Sequence, residues 1–169
     1  MVESSDAPGP AAEVVSLAAA RNLTVATAES VTAGLVAAAL GSVPGASAVF
    51  QGGAVTYQNR IKVDVLGVDA SGLAATGAVD AVVARQMADG ARRVFTADIA
   101  VSTTGAAGPE PHGGKAVGTV FVAVASAAGT TVSEYLFEGD REEVRRRACR
   151  AALDQLGALL RLQDAGNKS

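Results

Sequence analysis

The chain has 169 residues, 49% of them hydrophobic and 4% aromatic, with no tryptophan and a net charge of −3. That length and apolar content suit one domain with its own core and exclude disorder over most of the chain. The acidic balance argues against broad nucleic-acid binding, which rests on neutralising phosphates, and a lone cysteine (Cys149) and a lone histidine (His112) exclude an intrachain disulfide and an ordinary structural zinc site.

The first ten and last five residues (Ala165 to Ser169) read as loose ends. The acidic, small-residue start is not a secretory signal, and no apolar run has membrane-spanning length, so a cytoplasmic protein is expected. Pro10 opens a helix to Ala20. Leu23 to Ala28 is rich in β-branched residues and reads as a buried strand, broken at Glu29 and Ser30. Val31 to Leu40 reads as a helix. Gly53 to Tyr57 reads as a second strand. Asn59 is placed to cap a short helix ended by Gly67, and Asp80 to cap a longer one from Ala81 to about Phe95. Asp98 to Thr103 reads as a third strand, followed by a glycine-rich loop from Gly105 to Gly114. Val117 to Ser126 and Thr130 to Phe137 form a hairpin, and Asp140 caps a final helix to about Leu162. Strands alternating with helices, then a hairpin and a helix, predict a mixed sheet with helices on both faces. With so few aromatics the core is expected from Ala, Val, Leu and Ile, which lets helices lie close to the sheet.

Several familiar sites fail. Counting back from Gly114-Lys115, the first glycine of a phosphate-binding loop falls on Pro109, and Ala116 stands where magnesium needs a hydroxyl. No G-x-G-x-x-G follows the first strand. A Ser-His-Asp triad has only His112 to draw on, in a loop where a histidine is usually just solvated.

Four segments place polar residues where loops meet at strand ends. Ser30, between strand and helix, is either a plain N-cap or a hydroxyl beside free helix-start amides that can hold an oxyanion. With Asn59 as N-cap, Lys62 is the third helical residue; it is either a surface lysine or an amine kept neutral by the helix dipole and apolar neighbours, able to take a proton from a serine. Tyr57 either relays that proton or is a half-buried strand aromatic. The loop at Gly105 and Gly108 is either a flexible connection or a close backbone approach to a ligand. Arg141 and Arg145 share one side of the last helix, as a solvated charged face or a phosphate clamp.

These segments together resemble the CinA C-terminal domain family, whose stand-alone members include nicotinamide-nucleotide amidase. The family pattern A-E-S-C-T-G-G appears as Ala28 to Gly34, and T-Y-S-N-x-x-K as Thr56 to Lys62. G-I-A-G-P and K-P-V-G-T-V appear at Gly105 to Pro109 and Lys115 to Val120, and F-x-G-D-R-x-x-V-R at Phe137 to Arg145. The resemblance implies a three-layer α/β/α fold. It implies hydrolysis of the carboxamide of nicotinamide mononucleotide, with Ser30 as nucleophile, Lys62 as general base and Tyr57 as supporting acid/base. Thr32, Gly34, Asn59, Gly105, Gly108, Arg141 and Arg145 fall on the substrate-binding side, and Ser47 matches a serine that helps bind substrate or oxyanion. It implies no metal or cofactor, a small nucleotide as partner, no nucleic acid or membrane, a homo-oligomer, and absence of the N-terminal domain of larger members. Val31, Ala33, Gln58 and Ala81 depart from the pattern. A methyl at Ala33 is expected to crowd the oxyanion pocket. Two alternatives stay open: a catalytically silent nucleotide-binding module, and the same acyl chemistry on another amide.

Overall fold

A computed structural model describes residues 8–165. The expected loose ends at 1–7 and 166–169 lie outside that range, whereas Pro10 opens a helix and Ala165 closes one. In chain order the elements are α1 (Pro10–Ala20), β1 (Val25–Glu29), α2 (Leu35–Gly41), a 3-10 turn (Ala46–Ala48), β2 (Phe50–Val55), α3 (Asn59–Leu66), α4 (Ala70–Thr76) and α5 (Ala81–Val94). They end with β3 (Ile99–Gly105), β4 (Thr119–Ser126), β5 (Gly129–Leu136) and α6 (Arg141–Ala165). The five strands run in the order β2-β1-β3-β4-β5. β1 pairs in parallel with both β2 and β3, and the hairpin is antiparallel. The sheet is mixed, as the element pattern predicts.

Alternation along the strands decides which helix each side chain meets. Val25, Ile99, Val101, Val120, Val122 and Val124 pack with Val14, Leu40, Val144 and Leu156 of α1, α2 and α6. Ala26, Ala28 and Ala100 turn the other way, toward Leu66, Val83 and Met87 of α3 and α5. The result is three layers, α/β/α. The small residues on the second face bring α5 close to the sheet. Gly90 marks how tight that layer is: a Cβ there would stand 2.1 Å from the Leu66 carbonyl oxygen. Among the described residues no helix is long and apolar enough to cross a membrane.

The caps follow the side-chain chemistry. Asp80 Oδ1 accepts from Val82 N at 2.8 Å to start α5, and Asp140 Oδ1 accepts from Glu143 N at 2.9 Å to start α6. Gly67, at φ +70°, closes α3. Four points need correction. α2 starts at Leu35, four residues later than expected, because residues 31–34 form a turn with Ala33 at φ +47° and Gly34 at φ +101°. Gln58, not Asn59, holds the N-cap position of α3, which makes Lys62 the fourth helical residue. Asp69 caps α4, a helix not anticipated from the sequence. β2 also ends at Val55, so Thr56 and Tyr57 leave the ladder and turn toward α3.

The chain leaves β1 toward β2 on one side and returns to β3 on the other. β1 is thus where the strand order reverses, and the crevice beyond its carboxyl end is where such sheets bind ligands.

Candidate active site

Ser30 is the first residue beyond β1. Its N–H donates to the Thr103 carbonyl at 2.9 Å, and the neighbouring Thr56 N–H donates to the Glu29 carbonyl at 2.8 Å. The backbone is therefore pinned from both flanking strands at the point where the hydroxyl projects. Ser30 does not cap α2. Glu29 does so from inside the sheet, although a glutamate at a strand end reads simply as a break in the apolar run. Its side chain is 1% exposed. Oε1 accepts from Thr32 Oγ1 at 2.6 Å, Val36 N at 2.9 Å and Gly34 N at 3.2 Å, while Oε2 accepts from Ala37 N at 3.0 Å. Anions are favoured at a helix N-terminus, and this one is buried with its oxygens supplied with donors. From the outer side Arg145 donates to the carbonyls of Val31 (3.1 Å) and Thr32 (3.2 Å). The turn after Ser30 is thus held between a buried carboxylate and a guanidinium.

Lys62 reaches the same point from α3 and is fully buried. Its Nζ lies 3.0 Å from Ser30 Oγ, 2.7 Å from the Thr56 carbonyl oxygen and 3.0 Å from the Tyr57 carbonyl oxygen. Carbonyl oxygens only accept, so they take two of the amine's N–H groups. The remaining tetrahedral position faces Ser30 Oγ. In the ammonium it is an N–H donating to the hydroxyl; in the neutral amine it is the lone pair, to which Ser30 O–H donates. Burial pushes the lysine from 10.5 down to about 8, because the charged form loses its hydration. Cys149, half-buried on α6, goes the other way: burial first and the Glu29 charge second push it up to about 11. It stays a protonated, unreactive thiol at neutral pH.

Ser30 and Lys62 open onto a cavity of about 260 Å³. Val31, Ala78, Val79, Ala106 and Ala107 give it apolar walls, and Tyr57, Gln58, Asn59, Thr104, Gly105, His112 and Arg141 complete it. No Asp or Glu is on its wall. Tyr57 is half exposed; its hydroxyl oxygen accepts from Arg141 at 2.8 Å. A second guanidinium N–H of Arg141 donates to the Gly108 carbonyl at 2.8 Å. Gly108 is held there at φ +86°, with Val117 filling the space a side chain would need.

Of the residues singled out in the sequence, Ser30, Lys62, Tyr57, Asn59, Gly105 and Arg141 meet at this cavity. Thr32 and Gly34 lie behind Ser30, bonded to Glu29, and are not on the wall. Gly108 contributes a carbonyl to Arg141, and Arg145 supports the turn. Arg141 and Arg145 thus hold different stretches of backbone, the loop at Gly108 and the turn after Ser30. Ser47 sits exposed in the 3-10 turn before β2. Since β2 runs parallel to β1, that is the opposite end of the sheet from Ser30. Ala33 is exposed and off the wall, so its methyl does not crowd the cavity; Ala81 is off the wall too. Glu29 is the residue that strand reading passed over; its signal was an acid followed within five residues by Thr32 and Gly34. Val31, Thr104 and His112 give no comparable sign. Among the described residues no group of three or more His, Cys, Asp or Glu is placed to hold a metal ion.

The profile of the CinA C-terminal domain matches residues 9–160. The chain belongs to the CinA C-terminal domain family. This CinA domain is 51% identical over 151 residues to a CinA-like protein of Anaeromyxobacter sp. strain Fw109-5, covering 88% of this chain and 36% of that protein. It is 48% identical over 137 residues to a CinA-like protein of Geobacter metallireducens, covering 79% and 33%. The chain therefore spans about a third of the length of the curated relatives it matches. Among solved structures it is similar to a CinA superfamily protein from Klebsiella pneumoniae 700603, with TM-score 0.86, 35% identity and coverage of 89% and 95%. The competence/damage inducible protein CihA of Agrobacterium tumefaciens gives TM-score 0.82, 39% identity and coverage of 92% and 99%.

Proposed function

We propose that this CinA domain hydrolyses the carboxamide of nicotinamide mononucleotide to the carboxylate and ammonia, through an acyl-enzyme on Ser30. One observation carries the reading: a buried lysine, its other N–H groups engaged by two carbonyls, points its remaining position at a serine 3.0 Å away. Neutral Lys62 takes the Ser30 proton as Oγ adds to the carboxamide carbon. The N–H of Val31, a wall residue with no acceptor for that N–H among the described residues, is the proposed donor to the oxyanion. Protonated Lys62 passes its proton to the departing nitrogen, and ammonia leaves. Water then adds to the acyl carbon, giving a proton to Lys62; Lys62 returns it to Ser30 Oγ as the acyl bond breaks, and the product acid leaves as its carboxylate after losing a proton to solvent. Tyr57, whose oxygen accepts from Arg141, keeps its own O–H to donate into the cavity and supports the second proton transfer. The reading invokes no metal and no cofactor.

An aromatic carboxamide suits the site. The reacting end is walled by alanines and valines, and the cavity is near the low end of the ~300–1,000 Å³ typical of small-molecule sites. The test is to incubate the purified chain with nicotinamide mononucleotide and follow ammonia and nicotinate mononucleotide together. Stoichiometric appearance of both supports the reading. Tight nucleotide binding without ammonia would favour the silent module, and turnover of other carboxamides in its place would move the proposal to another substrate.

A further inference from the structure

The cavity that holds Ser30 and Lys62 has an imidazole on its wall that the proposed chemistry does not use. His112 lies in the loop between β3 and β4, whose glycines read in sequence as a flexible connection. Its backbone is instead defined. His112 N donates to the Lys115 carbonyl at 3.2 Å and Lys115 N donates back at 3.0 Å. The two residues between, Gly113 and Gly114, have φ +57° and +75°. That pairing is a tight hairpin of the kind that needs positive φ at both central positions. Its tip rests on the end of α4, with Gly113 Cα 3.6 Å from where a Cβ of Gly77 would be. The same loop is tied to α6, since Gly108 accepts from Arg141.

The wall offers nitrogen groups and no carboxylate. Lys62, Arg141 and His112 line the cavity, and no Asp or Glu does. The three hydrogen-bonding positions of Lys62 Nζ are taken by Ser30 and two carbonyls, so it has nothing left for a second group. Arg141 spends two of its five N–H groups on Gly108 and Tyr57. The rest are available, and His112 brings one or two N–H donors. Of the charged residues on that loop, Glu110 is exposed and off the wall, and Lys115 Nζ sits 5.9 Å over the Phe121 ring.

We propose that His112 is a specificity residue, which together with Arg141 binds the phosphate of the nucleotide whose base end reaches Ser30. This rests on the nucleotide reading of the site but not on turnover. The experiment is therefore a binding one: calorimetry of nicotinate mononucleotide and of its phosphate-free nucleoside, with the wild-type chain, His112→Ala and Glu110→Ala. A charge-assisted hydrogen bond predicts that His112→Ala weakens the mononucleotide by about ten-fold or more while leaving the nucleoside unchanged. Glu110→Ala, a change on the same loop away from the wall, leaves the preference for the mononucleotide intact. Equal weakening of both ligands by His112→Ala, no weakening of either, or a wild type that does not prefer the phosphorylated ligand overturns the assignment. If binding follows the prediction while the wild type releases no ammonia, the amidase reading falls and the His112 assignment stands.

Discussion

If Lys62 is the base that activates Ser30, the reaction has to follow the fraction of Lys62 that is neutral. Burial places its titration near 8, against 10.5 for a free lysine. About one-tenth of the molecules are then competent at pH 7, about half at pH 8, and nearly all above pH 9. The apparent kcat/KM for ammonia release should rise about five-fold from pH 7 to 8, bend near pH 8 and level off above pH 9, about ten-fold in all. The assay is initial-rate ammonia release from nicotinamide mononucleotide between pH 7 and 10, a range in which a phosphate of pKa about 6 stays dianionic and does not distort the curve. The Lys62→Arg variant, whose guanidinium cannot give up its proton at these pH values, should show no such limb. A profile flat across the range, or one still climbing at pH 10 as for an exposed lysine, would refute the argument that the protein keeps Lys62 neutral by desolvation.

The same titration has a stability consequence. The folded value lies below the unfolded one, so between about pH 8 and 10.5 the unfolded chain holds a proton that the folded chain does not. The burden of burying the charged amine is full below pH 8 and is relieved as pH rises to 10.5, by about 3 kcal/mol. Because Cys149, pushed up to about 11, acts in the opposite sense above pH 9 in both proteins, urea titrations at several pH values should show this rise in the difference between the wild type and Lys62→Met. Glu29→Gln sets an amide N–H₂ among the backbone donors of α2 and should cost about 3 kcal/mol of unfolding free energy, with a drop in turnover as the turn behind Ser30 loosens. An unchanged midpoint would show that the carboxylate does not hold that turn. Ala33, at φ +47°, sits in a conformation that disfavours an L side chain, so Ala33→Gly should stabilise by about 0.5–1 kcal/mol after the entropy of glycine is deducted. Because Ala33 is off the cavity wall, kcat/KM should stay as it was.

The layers of this fold are legible from local chemistry. β-branched strands, the Asp80 and Asp140 caps and the Gly67 stop are short-range signals, and the structure follows them. α4 escapes because an alanine–glycine helix of seven residues has no apolar stripe and one capping side chain. The error at α2 has a different source. A serine between strand and helix reads as a cap because capping is usually local, and here a buried glutamate does it through four donors, the last of them eight residues on. Nothing short-range shows that a strand residue will fold back over its own turn. The meeting of Ser30 and Lys62, 32 residues apart, is likewise a property of the β1–β2 pairing and of a helix that begins one residue earlier in the turn than expected. Their motifs were visible in sequence, while their distance was not. Arg145 shows the converse. Helical spacing correctly puts it on the same side as Arg141, but the carbonyls of Val31 and Thr32 claim it first.

The proposed reaction requires Ser30 Oγ to make the bond to the carboxamide carbon. Its most direct test is the rate of ammonia release from nicotinamide mononucleotide by Ser30→Ala beside the wild type, with the two proteins matched for unfolding midpoint. A lost nucleophile predicts a fall of about 10³-fold or more. A Ser30→Ala protein that still turns over within about ten-fold of the wild type would contradict the account, and Lys62 would have to be activating something other than the serine it touches.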